Sequence, residues 1–146
     1  MTGTYPMNVD GKARITFPSP FRKEVDKRIK LVPVKDCVYG FTPEGFDAWV
    51  EGLFTYGDRQ YNPRDTKDVK LRRGLYASAV DADIDSAGRI ALGKLDVAKP
   101  GRREALGLVG EVMVIGSGDH FEVWNADKWR AEQESFEDDL DALMFG

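Results

Sequence analysis

A chain of 146 residues can bury one good core or two small ones, because domains commonly run ~100 to 150 residues and smaller units are marginal alone. With 42% apolar residues it is too apolar for a disordered tail; its longest apolar stretch, Leu106 to Gly118, is broken by Glu111 and too short for a bilayer; and its single cysteine, Cys37, excludes an internal disulfide framework. The net charge of −4 hides an asymmetry: residues 1–35 carry eight Lys or Arg against three acids, whereas residues 119–146 carry nine acids against Lys128 and Arg130, so the acidic average does not exclude a polyanionic partner.

The first residues, MTGTYPMNVDGK, have neither the charged start nor the apolar core of a secretion signal, and the lone cysteine suits a reducing cytoplasm. Tyr5 to Val9 and Arg14 to Phe17 alternate as strands around the turn-forming segment Asp10-Gly11-Lys12-Ala13, which predicts a β-hairpin. Pro18-Ser19-Pro20 stops the second strand and starts a short helix from Phe21 to about Arg28, with Phe21 and Val25 on one face. Lys30 to Val34 and Val38 to Phe41 read as two further strands. Thr42-Pro43-Glu44 then supplies an N-cap, a proline at the first helical position and an acid at the positive end of a helix running to about Leu53. Tyr56 to Arg73 is polar and charged, a linker in which Asn62-Pro63 marks a helix start.

The same order of elements returns in the second half, with strands at Ala77 to Ile84, Arg89 to Leu92, Glu111 to Gly116 and His120 to Trp124. Asn125 and Asp127 open a long final helix whose apolar positions Trp129, Phe136, Leu140 and Leu143 form a stripe for a core or a partner. Superposing DGKARI (10–15) on DSAGRI (85–90) places Val9 on Ile84, Arg14 on Arg89 and Phe17 on Leu92 at a constant offset of 75. Further along, Phe41 and Phe46 fall on Trp124 and Trp129 at an offset of 83, so about eight extra residues enter the second half, around Arg102 to Gly110. The expected organisation is one repeat over residues 4–54, a linker with a helix over 55–75, a second repeat over 76–131 and an acidic helical extension over 132–146. Neither half can exclude water alone, so the expectation is a mainly β, α+β fold in which two repeats interleave their strands into one barrel, with the helices peripheral and both Asp-x-x-x-Arg turns on one side.

An arginine leaving a tight turn presents its planar fork clear of the scaffold, able to grip a phosphate or the O6/N7 edge of guanine. A surface arginine paired to a nearby acid is the plainer alternative for either one, but Arg14 and Arg89 recur in equivalent places. Asp10 and Asp85 would repel phosphates and suit the turn itself, each accepting backbone N–H groups and aiming its arginine. Lys12, Arg22, Lys23, Lys27 and Arg28 surround the first turn in sequence as candidate phosphate contacts, and the second half offers Lys94, Lys99, Arg102 and Arg103. His120 beside Asp119, with Cys37 elsewhere, is the only group resembling a base and nucleophile. One histidine and no cysteine pair argue against a zinc site, and no Gly-rich phosphate loop is present. Asp81, Asp83 and Asp85 mark one solvated face of a strand, and His120-Phe121-Glu122-Val123-Trp124 alternates as a half-buried strand that orients the last hairpin or an oligomer contact. These residues predict no catalysis, no metal, no cofactor and no small-molecule substrate.

The motifs DGKARITFP and DSAGRIAL, the run GDHFEVW (118–124) and the chain length together resemble the MraZ family of bacterial regulators built from two SpoVT/AbrB-type domains. The resemblance covers nearly the whole chain. It implies a double swapped-hairpin AbrB-like β-barrel, ring-like homo-oligomers, no membrane partner, and binding to double-stranded DNA at repeated sites in the promoter region of the division and cell wall gene cluster. It also implies a cytoplasmic, nucleoid-associated transcriptional regulator whose DNA-contacting elements fall on Asp10 to Arg14 and Asp85 to Arg89. Head-to-tail subunits of a ring would match short direct repeats rather than inverted halves. Gly88 keeps the family's glycine before the arginine. Ala13 stands in that place in the first turn, where a non-Gly residue at positive φ is strained, and Gly93 replaces a usual proline. The competing expectation is a non-catalytic interaction protein, an antitoxin-like oligomeric scaffold whose basic face meets an acidic partner.

Overall fold

A computed structural model describes all residues, 1–146. The chain leaves its N-terminus in strand β1 (Thr4–Asn8), turns through Asp10 to Ala13 and returns as the short β2 (Arg14–Thr16). A single helical turn, α1 (Ser19–Arg22), leads into β3 (Arg28–Val34) and β4 (Cys37–Phe41), followed by helices α2 (Pro43–Gly52) and α3 (Thr66–Ser78). The second half runs through β5 (Val80–Asp83), β6 (Arg89–Ala91), α4 (Lys94–Ala98), α5 (Arg102–Leu106), β7 (Glu111–Gly116), β8 (Phe121–Asn125) and the long α6 (Ala126–Phe145).

Six strands form one antiparallel sheet in the order β1-β7-β8-β4-β3-β5. Exchanging the halves leaves this order unchanged when read from the opposite edge. The first strand of each half lies at an edge beside the other half, β1 against β7 and β5 against β3. β2 and β6 leave the sheet and pair with each other, Arg14 opposite Ala91, Ile15 opposite Ile90 and Thr16 opposite Arg89, with a single antiparallel bridge from Ile90 back to Ile84. The expected closed barrel is therefore not formed. β1 and β5 stand at opposite edges, and the chain turns out of the sheet after each of them, so a two-stranded ribbon covers the core where barrel closure would have lain.

That ribbon buries Ile15 and Ile90 against the sheet, with Phe17, Leu92, Phe21 and Phe121 beside them, and the Phe17 and Phe121 rings lie 4.8 Å apart. Residues of both halves thus build one core, which neither could enclose alone. A smaller apolar cluster, Val32, Phe41, Phe46, Val50 and Phe54, lies under α2. Thr42 caps α2 by accepting the Gly45 N–H through its hydroxyl at 2.9 Å, with Pro43 at the first helical position.

Three boundaries differ from the sequence expectation. The helix expected from Phe21 to about Arg28 stops at Arg22, because Arg28 and Ile29 are taken into β3, where they pair with Asp83 and Ala82. The linker helix begins at Thr66 rather than near Pro63: the Asp65 carboxylate accepts the Lys67 N–H at 2.9 Å, while Asn62 is held outside the helix by its own N–H bond to Asp68. Ala77 and Ser78 end that helix instead of starting a strand.

Candidate nucleic-acid interface

The two Asp-x-x-x-Arg turns have the same construction, bond for bond. Asp10 Oδ1 accepts the N–H groups of Lys12 at 2.9 Å and Arg14 at 2.8 Å, and its Oδ2 accepts Arg14 Nε–H at 2.9 Å. Asp85 Oδ1 accepts the N–H groups of Ala87 and Arg89 at 2.9 Å, and its Oδ2 accepts Arg89 Nε–H at 3.0 Å. Each backbone closes on itself, the Asp10 N–H bonding to Arg14 O at 2.9 Å and the Asp85 N–H to Arg89 O at 3.0 Å. The residue before each arginine is left-handed, Ala13 with φ 61° and Gly88 with φ 76°. The backbone N–H of Arg14 holds the Asp10 carboxyl below the usual carboxylate range against a smaller opposing effect of desolvation, and the N–H of Arg89 does the same for Asp85.

Each turn is locked to the other half of the chain. The Phe17 N–H donates to Gly88 O at 2.8 Å, and the Leu92 N–H donates to Ala13 O at 2.8 Å. Because Ile15 and Ile90 point inward from the ribbon, the alternation of side chains places Arg14, Thr16, Arg89 and Ala91 on its outward face. Arg14 and Arg89 occupy a diagonal of that face, about 7–8 Å apart by ordinary strand geometry. Their Nε–H groups are committed to the aspartates, but their Nη groups make no hydrogen bond within the chain. Two forks are thus held at one end and left open at the other.

Residues 75–143 match the family model described as "MraZ protein, putative antitoxin-like". The chain is similar to the transcriptional regulator MraZ of Corynebacterium urealyticum, 31% identical over 140 residues, 96% of this chain and 91% of that protein. It is also similar to those of Corynebacterium jeikeium, 30% identical over 94% of this chain and 90% of that protein, and Limosilactobacillus fermentum, 28% identical over 99% and 94%. The chain belongs to the MraZ family. Its relatives are transcriptional regulators by name, and none of its helices is long and apolar enough to cross a membrane.

In this MraZ-family chain the basic residues are distributed differently from their order in the sequence. Lys12 is exposed within the first turn, whereas the corresponding place in the second turn is Ala87. Arg22, close to the first turn in sequence, lies against the second: its Nε–H donates to Phe17 O at 3.0 Å, and its Cζ lies 2.3 Å from where a Cβ on Gly88 would project. Lys27, Asp26 and Arg22 line an open depression with Asp85, Ser86 and Gly88. Lys23, the C-cap of α1, is exposed. The first half therefore supplies cations to the turn of the second half, which has few of its own. No local pattern could have revealed this, because it depends on the bond between Phe17 and Gly88.

Other candidates are committed elsewhere. Arg28 pairs with Asp83 at 3.7 Å and Lys30 with Asp81 at 2.6 Å across β3 and β5, and Arg103 Nε–H is held by Asp96 Oδ2 at 2.8 Å. His120 is buried, with Nδ1 2.8 Å from Asp119 Oδ1, Nε2 2.8 Å from Glu122 Oε2, and its ring stacked on Tyr39 and Phe41. Burial acts to lower its pKa, but the hydrogen bonds to Glu122 and Asp119 outweigh it and raise the value above the ordinary one. Cys37 makes no pair with this imidazole. Its Sγ lies 3.9 Å from Glu122 Oε1, and burial pushes the thiol up, far from a reactive thiolate.

Proposed function

We propose that this chain is a sequence-specific DNA-binding transcriptional regulator that acts on the division and cell wall gene cluster by binding short direct repeats in its own promoter region as a ring-like homo-oligomer. The observation that carries the reading is the common outward face of Arg14 and Arg89, each with Nε–H tied to an aspartate and both Nη groups free. A two-stranded ribbon fits the major groove, about 12 Å wide, and a separation of about 7–8 Å spans roughly two base steps of 3.4 Å. Asp10, Asp85 and Gly88 shape the turns, Arg14 and Arg89 meet base edges, and Lys12, Arg22 and Lys23 meet phosphates. Each bidentate contact discriminates by about 1–3 kcal/mol, too little in one chain for an operator, so several subunits must bind together.

The paired halves function as one swapped-hairpin AbrB-like unit: residues 4–54 and 76–131 are the repeats, 55–75 the link between them, and 132–146 an extension outside both. The protein acts in the cytoplasm on the nucleoid, with double-stranded DNA and further copies of itself as partners and no catalytic step. In the other reading, an antitoxin-like scaffold, the same basic ribbon faces an acidic protein. A footprint on the DNA preceding the chain's own gene tests the choice. Protection of regularly spaced direct repeats, surviving competitor DNA, is expected; no protection by the assembled protein would favour the scaffold.

A further inference from the structure

Helix α6 is anchored only at its start. Trp129 packs against Trp124 with ring centroids 5.5 Å apart, the Asn125 side chain accepts the Lys128 N–H, and Arg130 pairs with Asp127 and Glu111. From Glu134 onward every residue is exposed, including the apolar stripe Phe136, Leu140, Leu143 and Met144. Glu132, Glu137 and Asp139 flank this stripe, and none of them has a basic partner in the chain. A helical stretch of about 12 residues has little stability of its own in water, and an apolar stripe along it is a surface awaiting a partner.

Elsewhere the fold carries a surface of opposite character. Lys67, Lys70, Leu71, Gly74, Leu75 and Ser78 recur at helical spacing on one face of α3 and, with Pro33 of β3, line an open groove. Lys67 and Lys70 have no acidic partner in the chain, and Leu71 is 47% exposed. Gly74 weakens the middle of this helix relative to alanine, yet a Cβ there would meet nothing within 4 Å, so nothing in the chain itself requires the glycine. A bare backbone on an exposed helix face does allow a second helix to approach closely.

We infer that the distal half of α6, its apolar stripe inward and its flanking acids toward Lys67 and Lys70, docks in the α3 groove of a second copy of this chain. The lengths agree: Phe136 to Met144 spans about 12 Å and Lys67 to Ser78 about 16 Å at 1.5 Å per residue. A second copy is favoured because each surface carries the unpaired charge the other lacks. Pairing α6 with α6 would set acid against acid, and the acidic face is repelled by an anionic membrane. Helix and groove are different surfaces of one chain, so the contact is head-to-tail and propagates around a ring. It deepens, and rests on, the ring-like assembly proposed above.

The mass of the chain in solution by light scattering tests this. The wild type is expected to be a closed oligomer, and both Gly74→Leu, which fills the groove with a better helix former, and the α6 variant Phe136→Asp with Leu140→Asp are expected to be folded monomers. Circular dichroism and melting then show an unchanged fold. Mixing Leu71→Cys chains with Leu140→Cys chains under mild oxidation should cross-link the two kinds to each other, while neither kind cross-links alone. A wild type that stays monomeric would overturn the ring and this contact with it. An oligomer that persists in both variants, or a Leu140→Cys chain that cross-links to itself, overturns the contact and leaves the ring standing.

Discussion

Ala13 and Gly88 occupy equivalent places in the two turns, both in the left-handed region, and each carbonyl accepts a hydrogen bond from the opposite half of the chain. Only the glycine does so without strain. Ala13→Gly is expected to stabilise the protein by up to about 1 kcal/mol, the relief of the left-handed alanine being partly offset by the extra freedom of glycine when unfolded. Gly88→Ala is expected to destabilise by about 1–2 kcal/mol and to displace the Arg22 guanidinium. Urea denaturation of the two variants checks both signs, and a loss of stability in Ala13→Gly would contradict the strain.

Arg22 gives a separate prediction, because its charge serves the turn of the other half. Arg22→Ala is expected to weaken DNA binding with a salt dependence shallower by about 0.9 in the log–log slope for each subunit engaged. Arg22→Lys should restore most of the slope. An Arg22→Ala protein with the wild-type slope would remove Arg22 from the phosphate contacts.

The lone histidine makes a proton-linked prediction easy to read. His120 faces a carboxylate through each ring nitrogen, an arrangement that only the imidazolium can satisfy as a donor twice. Its folded pKa lies above the ordinary value near 6.5, so its contribution to stability is complete below that pH and is lost as pH rises through the higher folded value. Proton NMR of the ring should show a midpoint above 6.5, and His120→Gln should flatten the alkaline decline in stability. A midpoint below 6.5 would mean that burial wins.

The turn aspartates act on the other side of the scale. Asp10 and Asp85 are held below the usual carboxylate range by the backbone N–H groups of Arg14 and Arg89, so their contribution is present above pH 4 and lost as pH falls through the lowered values. Replacing both with Asn should lower stability and DNA affinity at neutral pH and flatten the decline of each as the pH falls. A DNA affinity in that double variant equal to the wild type's would show that the arginines do not need to be aimed.

The parts of the fold that depend on near neighbours were legible in the sequence. Thr42 and Pro43 announce α2, Asn125 announces α6, and the alternation of Phe121 and Val123 announces β8, because capping and alternation act over a few residues. The α+β character followed from those elements. What was not legible depends on pairing across the chain: β5 draws Arg28 and Ile29 out of the expected helix, and β2 and β6 form a ribbon in place of barrel closure. Among the candidate site residues, the same long-range pairing carries Arg22 to Gly88, and Asp96, seven residues before Arg103, takes up that arginine.

The affinity of the Arg14→Ala, Arg89→Ala double variant for the DNA upstream of its own gene tests the central claim most directly. Both side chains are partly exposed, so the variant is expected to fold and assemble. Specific binding that resists competitor DNA in the wild type and disappears in the assembled double variant is the predicted result. Unchanged specific binding by that variant would contradict the account.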